Sequence, residues 1–328
     1  MTHKIDVLVP VYNVAPFIEK CIESIESQTF RNFRILAVND GSTDNSLEIL
    51  KKLKEKYNNI EVISQKNQGL SSTRNTLIKN SLAEYVAFID SDDFVDNKYL
   101  ETLINNMEKF SVSISVCARF LYFSENQIIF KSRNKFSNQY LNSVQALRAM
   151  NSFQSFDMSM WGKLFKRELF DGITFPVGKN GEDFFVMPKL LAKGATYYDP
   201  APLYYYRQRQ GSITGGSDVT YVNVEAADDQ TALCLKEFPS ILPQALSSGA
   251  FWRLSVVNQY IKKEKNCPKN HLKAIRDYVK STYWFVLKNV DIPFYKKVQL
   301  TVFIFSPIKL YSTVIKKIHH YRKCRRKS

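Results

Sequence analysis

The sequence predicts an α/β fold built on a mostly parallel, doubly wound sheet, followed by a C-terminal helical extension. Three observations carry this. Short β-branched runs alternate with amphipathic helical stretches over residues 1–110. Acidic and small turn-forming residues stand at the carboxyl ends of those runs. The alternation is then lost, and the last third of the chain becomes basic, aromatic and helical in pattern. Strands separated by helical segments favour a parallel sheet, whose ligands bind beyond the carboxyl ends of the strands.

Ile5 to Val9 is the first strand, and it ends in Pro10-Val11-Tyr12-Asn13. Ile18, Cys21, Ile22 and Ile25 then fall at i, i+3, i+4 and i+7, one face of a helix. Phe33 to Val38 is the second strand. It runs into Asn39-Asp40-Gly41-Ser42-Thr43-Asp44, where Asp44 or Asn45 can cap a helix carrying Leu47, Leu50 and Leu53. Glu61-Val62-Ile63 gives a third strand, Gly69 to Ile78 a third helix and Tyr85 to Ile89 a fourth strand. Asn97 to Met107 reads as helix, with Leu100, Leu103 and Ile104 on one face and Asp93 as a candidate cap.

The fourth strand runs directly into Asp90-Ser91-Asp92-Asp93. Three carboxylates at the end of an interior strand are costly unless something cationic sits there. A hard divalent ion, Mg²⁺ or Mn²⁺, takes one or two carboxylates and completes its shell with substrate phosphates. Read by itself, the segment is equally a plain turn.

The order of blocks resembles the family 2 glycosyltransferases, the large inverting group with the Rossmann-like GT-A fold. The matching segments are Pro10-Val11-Tyr12-Asn13, Cys21-Ile22-Glu23-Ser24-Ile25 with Gln28-Thr29, Asn39 to Asp44, Asn67-Gln68-Gly69-Leu70 with Arg74-Asn75, Asp90 to Asp93, and Gly181-Glu182-Asp183-Phe184-Phe185. The resemblance covers roughly residues 4 to 215 and implies a nucleotide-sugar donor, a UDP-sugar by preference. Pro10, Val11, Tyr12, Asp40, Asn67, Arg74, Asp90 and Ser91 are the implied nucleotide-binding set. Tyr12 would stack on the base, Asp40 would accept its imide N–H, and Arg74 would reach base or ribose. On local sequence alone, Arg74 is an exposed helix arginine. Many relatives carry Asp where this chain has Asn39. Asp92 resembles the ligand that holds Mn²⁺ or Mg²⁺ against the diphosphate, with Asp90 contacting ribose or a metal-bound water.

Inversion requires a base on the face opposite the leaving diphosphate. Glu182-Asp183 opens an apolar helical run, Phe184 to Leu191, where carboxylates are also favoured merely as caps. The resemblance implies that this pair supplies the base, Asp183, with Glu182 as substitute or acceptor-binding partner. Trp161-Gly162-Lys163-Leu164-Phe165 resembles a block that usually reads Trp-Asn-Lys-Leu. Trp161 would wall the acceptor site or simply pack in the core. After the apolar run Leu203 to Tyr206, Arg207 and Ser212 lie on a Gly-containing loop suited to cover a diphosphate, or to be a solvated surface loop.

At 328 residues and 45% apolar content the chain can bury a real core. The expected domains are a catalytic unit, 1–217, with a nucleotide-binding half at 1–110 and an acceptor half at 111–217, then a basic helical region at 218–328. Five cysteines show neither metal-site spacing nor a disulfide framework, and no secretory signal precedes the first strand, as expected of a cytoplasmic protein. Four histidines make a zinc site improbable. From Val219 onward there are 20 Lys and Arg against 7 Asp and Glu, so this region carries +13 of the chain's +15. Val298 to Ile308 is its most apolar stretch, too short to span a bilayer, and it lies near the Lys316 to Lys327 cluster. That pairing reads as a peripheral anchor on anionic membrane at the inner face of the cell membrane, ahead of a soluble bundle. A nucleic-acid tail is disfavoured, because no base-reading module is visible.

The reading is therefore an inverting, metal-dependent glycosyltransferase acting on a glycan or lipid-linked oligosaccharide acceptor in surface polysaccharide synthesis. A non-catalytic sugar-nucleotide-binding scaffold is the alternative, disfavoured by the joint presence of the acidic segment and Glu182-Asp183. A nucleotidyltransferase is weaker still, because no glycine-rich phosphate loop follows the first strand.

Overall fold

The computed structural model describes residues 3–131, 138–152, 158–209 and 219–324. The chain divides into two compact units, Met1–Met150 with Gln154–Gly216, and Asn151–Phe153 with Ser217–Ser328.

The first unit begins with β1 (Ile5–Val11), α1 (Ile18–Glu26), β2 (Phe33–Asn39), α2 (Ser46–Lys56), β3 (Ile60–Ser64), α3 (Leu70–Asn80) and β4 (Tyr85–Phe88). These strands stand in the order β3-β2-β1-β4, every pairing parallel, with Ile5 opposite both Phe33 and Tyr85. All seven residues of β1 are buried, as expected of a strand covered on both faces. The helical spacing in α1 places Ile18, Cys21, Ile22 and Ile25 in the core. Asp44, rather than Asn45, serves the start of α2: its Oδ1 accepts the Ser46 N–H at 3.0 Å, whereas Asn45 makes no capping bond.

One carboxylate is buried inside this parallel layer. Asp6 on β1 receives Arg34 Nε and Nη2 at 2.9 Å each, Ser81 Oγ at 2.8 Å and the Leu82 N–H at 3.0 Å. Burial pushes its pKa up, but these hydrogen bonds and the Arg34 charge outweigh burial and leave it below the ordinary value.

The rest of the unit comprises β5 (Phe94–Val95), α4 (Tyr99–Phe110), β6 (Ile114–Ser124), β7 (Gln127–Lys131), β8 (Gln139–Leu141), α5 (Ser143–Asn151), β9 (Lys163–Lys166), α6 (Asp183–Lys193) and β10 (Thr196–Arg207). The sheet continues from β4 through antiparallel β9 to β6, then to β10, which runs parallel to β6 and antiparallel to β5. The sheet is thus mixed, a parallel first half extended by strands of both directions.

The second unit is helical: α7 (Val222–Glu237), α8 (Leu242–Lys262), α9 (Lys269–Ser281), α10 (Tyr283–Lys288), α11 (Phe294–Phe305) and α12 (Ile308–Cys324). Its core gathers Leu254, Val257, Val279, Val286, Phe303 and Tyr311. Gly249 on α8 permits close approach, since a Cβ there would lie 2.6 Å from the Tyr278 hydroxyl on α9. The Val298 to Ile308 stretch does not lie on the surface as one piece. Leu300, Phe303 and Ile304 are core residues, and α11 ends at Phe305, ahead of Pro307. Helical periodicity splits the stretch, so that only Val298 and Phe305 of its large apolar side chains are well exposed. Among the described residues, no helix is long and apolar enough to cross a membrane.

Candidate active site

The carboxyl ends of β1 to β4 meet because the strands are parallel and in register, and side chains stitch the loops that follow them. Asn13, at φ +50°, accepts the Thr43 N–H at 2.8 Å, and its own N–H donates to Ser42 Oγ at 3.1 Å. Asp40 ties the next loop down, accepting Gln65 Nε2 at 2.8 Å, the Gln68 N–H at 3.0 Å and the Gly69 N–H at 2.8 Å. Gly41 is required by the same closure. Its φ is +68°, and a Cβ would stand 2.8 Å from the Asn67 amide nitrogen. Tyr12 is left 48% exposed beside this frame, and Asn67 is exposed on it. Pro10 and Val11 are buried within β1 and Ser91 is buried in the acidic turn, so of the 10–12 segment only Tyr12 offers a side chain outward.

Arg74 on α3 is the centre of the arrangement. It is fully buried, not the exposed helix arginine that local sequence suggests. Its Nη1 donates to Glu182 Oε1 and Asp183 Oδ1, and its Nη2 to Asp90 Oδ1 at 3.2 Å. The guanidinium lies near the Phe88 and Phe175 rings, at 5.8 and 5.7 Å. Asn75 fixes one of these walls through reciprocal bonds with the Phe175 backbone, at 2.9 and 2.8 Å. The protein partners of Arg74 are therefore three carboxylates.

One cation for three carboxylates leaves the cluster short of positive charge. Burial pushes Asp183 up to about 7; Arg74 opposes the rise, while Glu182 and Asp90 reinforce it. Asp90 goes to about 6, again through burial, opposed by Arg74 and reinforced by Asp92 and Glu182. Glu182 stands at the N-cap of α6 but makes no capping bond. Both carboxylates thus serve Arg74, and Asp183 Oδ2 also accepts the Met160 N–H at 3.3 Å.

Asp93 is not the cap of α4. It is buried, its Oδ2 accepts the Tyr204 hydroxyl and its Oδ1 the Arg207 N–H, each at 2.7 Å, while Asp96 Oδ1 accepts the Lys98 N–H at 2.9 Å beside α4. The Tyr204 oxygen also accepts the Asp90 N–H at 3.2 Å, so β10 pins the acidic turn. Sequence reasoning missed Tyr204 because it sits in an apolar run, where its hydroxyl looks incidental.

Arg207 Nε donates to the Asp92 carbonyl at 2.7 Å, and its guanidinium packs on Phe17, Phe94 and Tyr122 at 4.9 to 5.5 Å. Arg209, a second basic group of the same loop, pairs with Asp92 Oδ2 at 2.7 Å. Ser212 lies outside the described residues. Trp161 stacks on Tyr204 and Tyr206 at 4.7 and 5.0 Å, forming an aromatic wall beside the turn. Gly162 has φ +71°, a left-handed conformation that Asn tolerates better than most residues, which accounts for Gly standing where the usual pattern has Asn.

Among the described residues no group of three or more His, Cys, Asp or Glu is arranged to hold a metal. Asp90 and Asp92 nevertheless fit a hard ion that takes one or two carboxylates and draws its other ligands from a diphosphate. Each accepts an arginine here, so both oxygens already face positive charge.

Comparison with known proteins bears on the family and the fold. The sequence profile of glycosyl transferase family 2 matches residues 6–174. Glycosyltransferase GlyA of Streptococcus pneumoniae serotype 4 is 39% identical over 220 residues, 64% of this chain and 31% of that protein. EpsJ of Bacillus subtilis (strain 168), an uncharacterized glycosyltransferase, is 34% identical over 217 residues, 64% of this chain and 62% of its own length. The chain thus spans under a third of GlyA and under two thirds of EpsJ. The crystal structure of S. aureus TarS 1-349 in complex with UDP-GlcNAc superposes with a TM-score of 0.74 over 97% of this chain and 92% of that one, at 20% identity. The expected GT-A fold with a helical extension is the fold of this molecule. With a profile match spanning just over half of its length, the chain belongs to glycosyl transferase family 2.

Proposed function

We propose that this protein catalyses inverting transfer of a sugar from a nucleotide sugar, by preference a UDP-sugar, to a glycan acceptor carried on a lipid. Surface polysaccharide assembly at the inner face of the cell membrane is the setting this reading gives it. One observation carries the proposal: Asp90 of the strand-end turn and Asp183 of α6 share the single guanidinium of Arg74. A donor-side carboxylate and a candidate base are thereby held next to each other.

Tyr12 offers the base a stacking face. Asp40 keeps the 65–69 loop in place and, with three of about four acceptor positions engaged, has one left for an imide N–H. Asp92 and Asp90 would hold Mn²⁺ or Mg²⁺, which when bound neutralises the departing diphosphate. Arg207 and Arg209, both at Asp92, are placed to give the diphosphate charge-assisted hydrogen bonds. The acceptor oxygen bonds to the anomeric carbon as the bond from that carbon to the diphosphate breaks, and the acceptor's proton passes to the Asp183 carboxylate. A pKa near 7 suits that exchange at neutral pH. Trp161 with its stacked tyrosines would wall the acceptor sugar. Membrane association of the basic helical unit would bring a lipid-linked acceptor to the site.

The experiment is UDP release from a panel of UDP-sugars, with Mn²⁺ or excess chelator, followed by transfer assays on Asp183→Asn. The variant should lose about 10²-fold or more in transfer while UDP affinity changes little. Wild-type transfer by Asp183→Asn would remove the base assignment, and absence of turnover with every nucleotide sugar would remove the enzyme reading.

A further inference from the structure

The helical unit keeps a set of large apolar side chains outside its core, and they are clustered. Phe294, Val298 and Phe305 on α11 are exposed, Phe294 and Phe305 to 80% and 71%. At 100° per residue, positions i, i+4 and i+11 fall within about 40° of one another, so the three form one stripe about 16 Å long. Thr301, at i+7 on the same stripe, bonds the Tyr283 hydroxyl at 3.1 Å. The Tyr283 ring in turn touches Phe305 and Trp284, at 5.8 and 5.6 Å between centroids. Trp284, 67% exposed, therefore extends the α11 stripe onto α10. Val290, 83% exposed, lies in the connection between the two helices.

Single exposed apolar residues are ordinary, but a contiguous aromatic face marks a contact surface. Charge selects the partner. Residues 283–318 contain six lysines and one aspartate. A second copy of this chain would set lysines against lysines, whereas an anionic lipid surface attracts them at about 1 kcal/mol each. Aromatic side chains with one polar edge favour the boundary between headgroups and acyl chains. No described helix is both long and apolar enough to span, and a face of this kind makes a shallow, in-plane contact.

We infer that the α10–α11 face, Trp284, Phe294, Val298 and Phe305, inserts into the interfacial layer of an anionic membrane. The inference rests on the membrane-associated reading above, and it replaces the continuous Val298 to Ile308 stretch, whose Leu300, Phe303 and Ile304 are core, by this face. The basic α12 contributes attraction at a distance, and the aromatic face contributes the part of the affinity that salt does not screen.

The test uses the full chain with phosphatidylcholine vesicles, with and without phosphatidylglycerol, some carrying brominated acyl chains. Of the three tryptophans, Trp284 should be the one quenched by bromine, so that Trp284→Phe abolishes the quenching without abolishing binding. Phe294→Ser with Phe305→Ser should weaken partitioning about tenfold or more, and what remains should vanish in high salt. Thermal melting followed by circular dichroism verifies that these surface variants fold. Anionic vesicles that bind the wild type without quenching Trp284, and bind the double variant equally well, would overturn the assignment of the face while leaving membrane association intact. No binding of wild type to any anionic vesicle overturns both. A concentration-dependent dimer in ultracentrifugation that the double variant dissolves assigns the face to a second copy instead.

Discussion

Two arginine–carboxylate systems in the first unit, one centred on Arg34 of β2 and one on Arg74 of α3, do opposite things. Arg34 meets Asp6 with two parallel hydrogen bonds, and Ser81 and the Leu82 N–H satisfy what remains, so the pair is balanced and the Asp6 pKa is lowered. Arg74 meets three carboxylates at once, and Asp183 and Asp90 rise to about 7 and about 6. A balanced pair holds the sheet together. An acid-rich cluster keeps a carboxylate able to take up a proton near neutral pH, at the expense of stability.

The largest effect should come from removing the cation of the acid-rich cluster. Arg74→Met leaves three carboxylates facing one another in a buried site, and unfolding by denaturant should show a loss of about 3–5 kcal/mol at pH 8. A loss under 1 kcal/mol would mean that the cluster is well solvated. In the balanced pair, Asp6→Asn should cost about 3 kcal/mol at neutral pH, because Arg34 loses its buried partner and keeps only the exposed Glu61 as counter-ion. Since Asp6 has a lowered pKa, its contribution is present above the unfolded-state value and fades as pH falls through the lower, folded-state one. Wild type and Asp6→Asn should therefore converge in acid.

Asp183 has the opposite sign. Its folded-state pKa is raised, so its ionisation works against the fold as pH climbs from about 4 toward about 7. Asp183→Asn, with Glu182 and Asp90 still on Arg74, should match or exceed the wild type at pH 8 by on the order of 1 kcal/mol while losing transfer. A variant clearly less stable than wild type at pH 8 would place Asp183 with Asp6, as a structural carboxylate. The smallest effect belongs to Glu61, the exposed second partner of Arg34. Glu61→Gln should change stability by no more than about 0.5 kcal/mol, and that difference should disappear in salt.

The first half of the fold was legible in the sequence. The four parallel strands and their helices differ from the expected bounds by a few residues, because buried parallel strands are continuous apolar runs and α1 and α4 each bury one apolar face. The strands β6 to β9 were not read. They are mixed in direction and partly exposed, and apart from the β6–β7 hairpin their pairing partners are distant in sequence, so no strong local period announces them. The acidic turn, Glu182-Asp183 and the basic loop that holds Arg207 and Arg209 were visible as blocks, yet Tyr204 at the same turn carried no local signal.

By itself, then, the sequence determined what depends on neighbours in the chain: the alternation of strands and helices, the placing of acidic residues at strand ends, the basic character after Val219, and the family those blocks resemble. Only the tertiary structure decided what depends on neighbours in space. Arg74 lies 16 residues from Asp90 and 108 from Glu182, and the fold alone turns it from a helix arginine into the shared counter-ion of three carboxylates. It likewise divided Val298 to Ile308 between core and surface. The reason is common to both cases: burial and charge balance are sums over everything that surrounds a side chain, and most of what surrounds these was brought there from far along the chain.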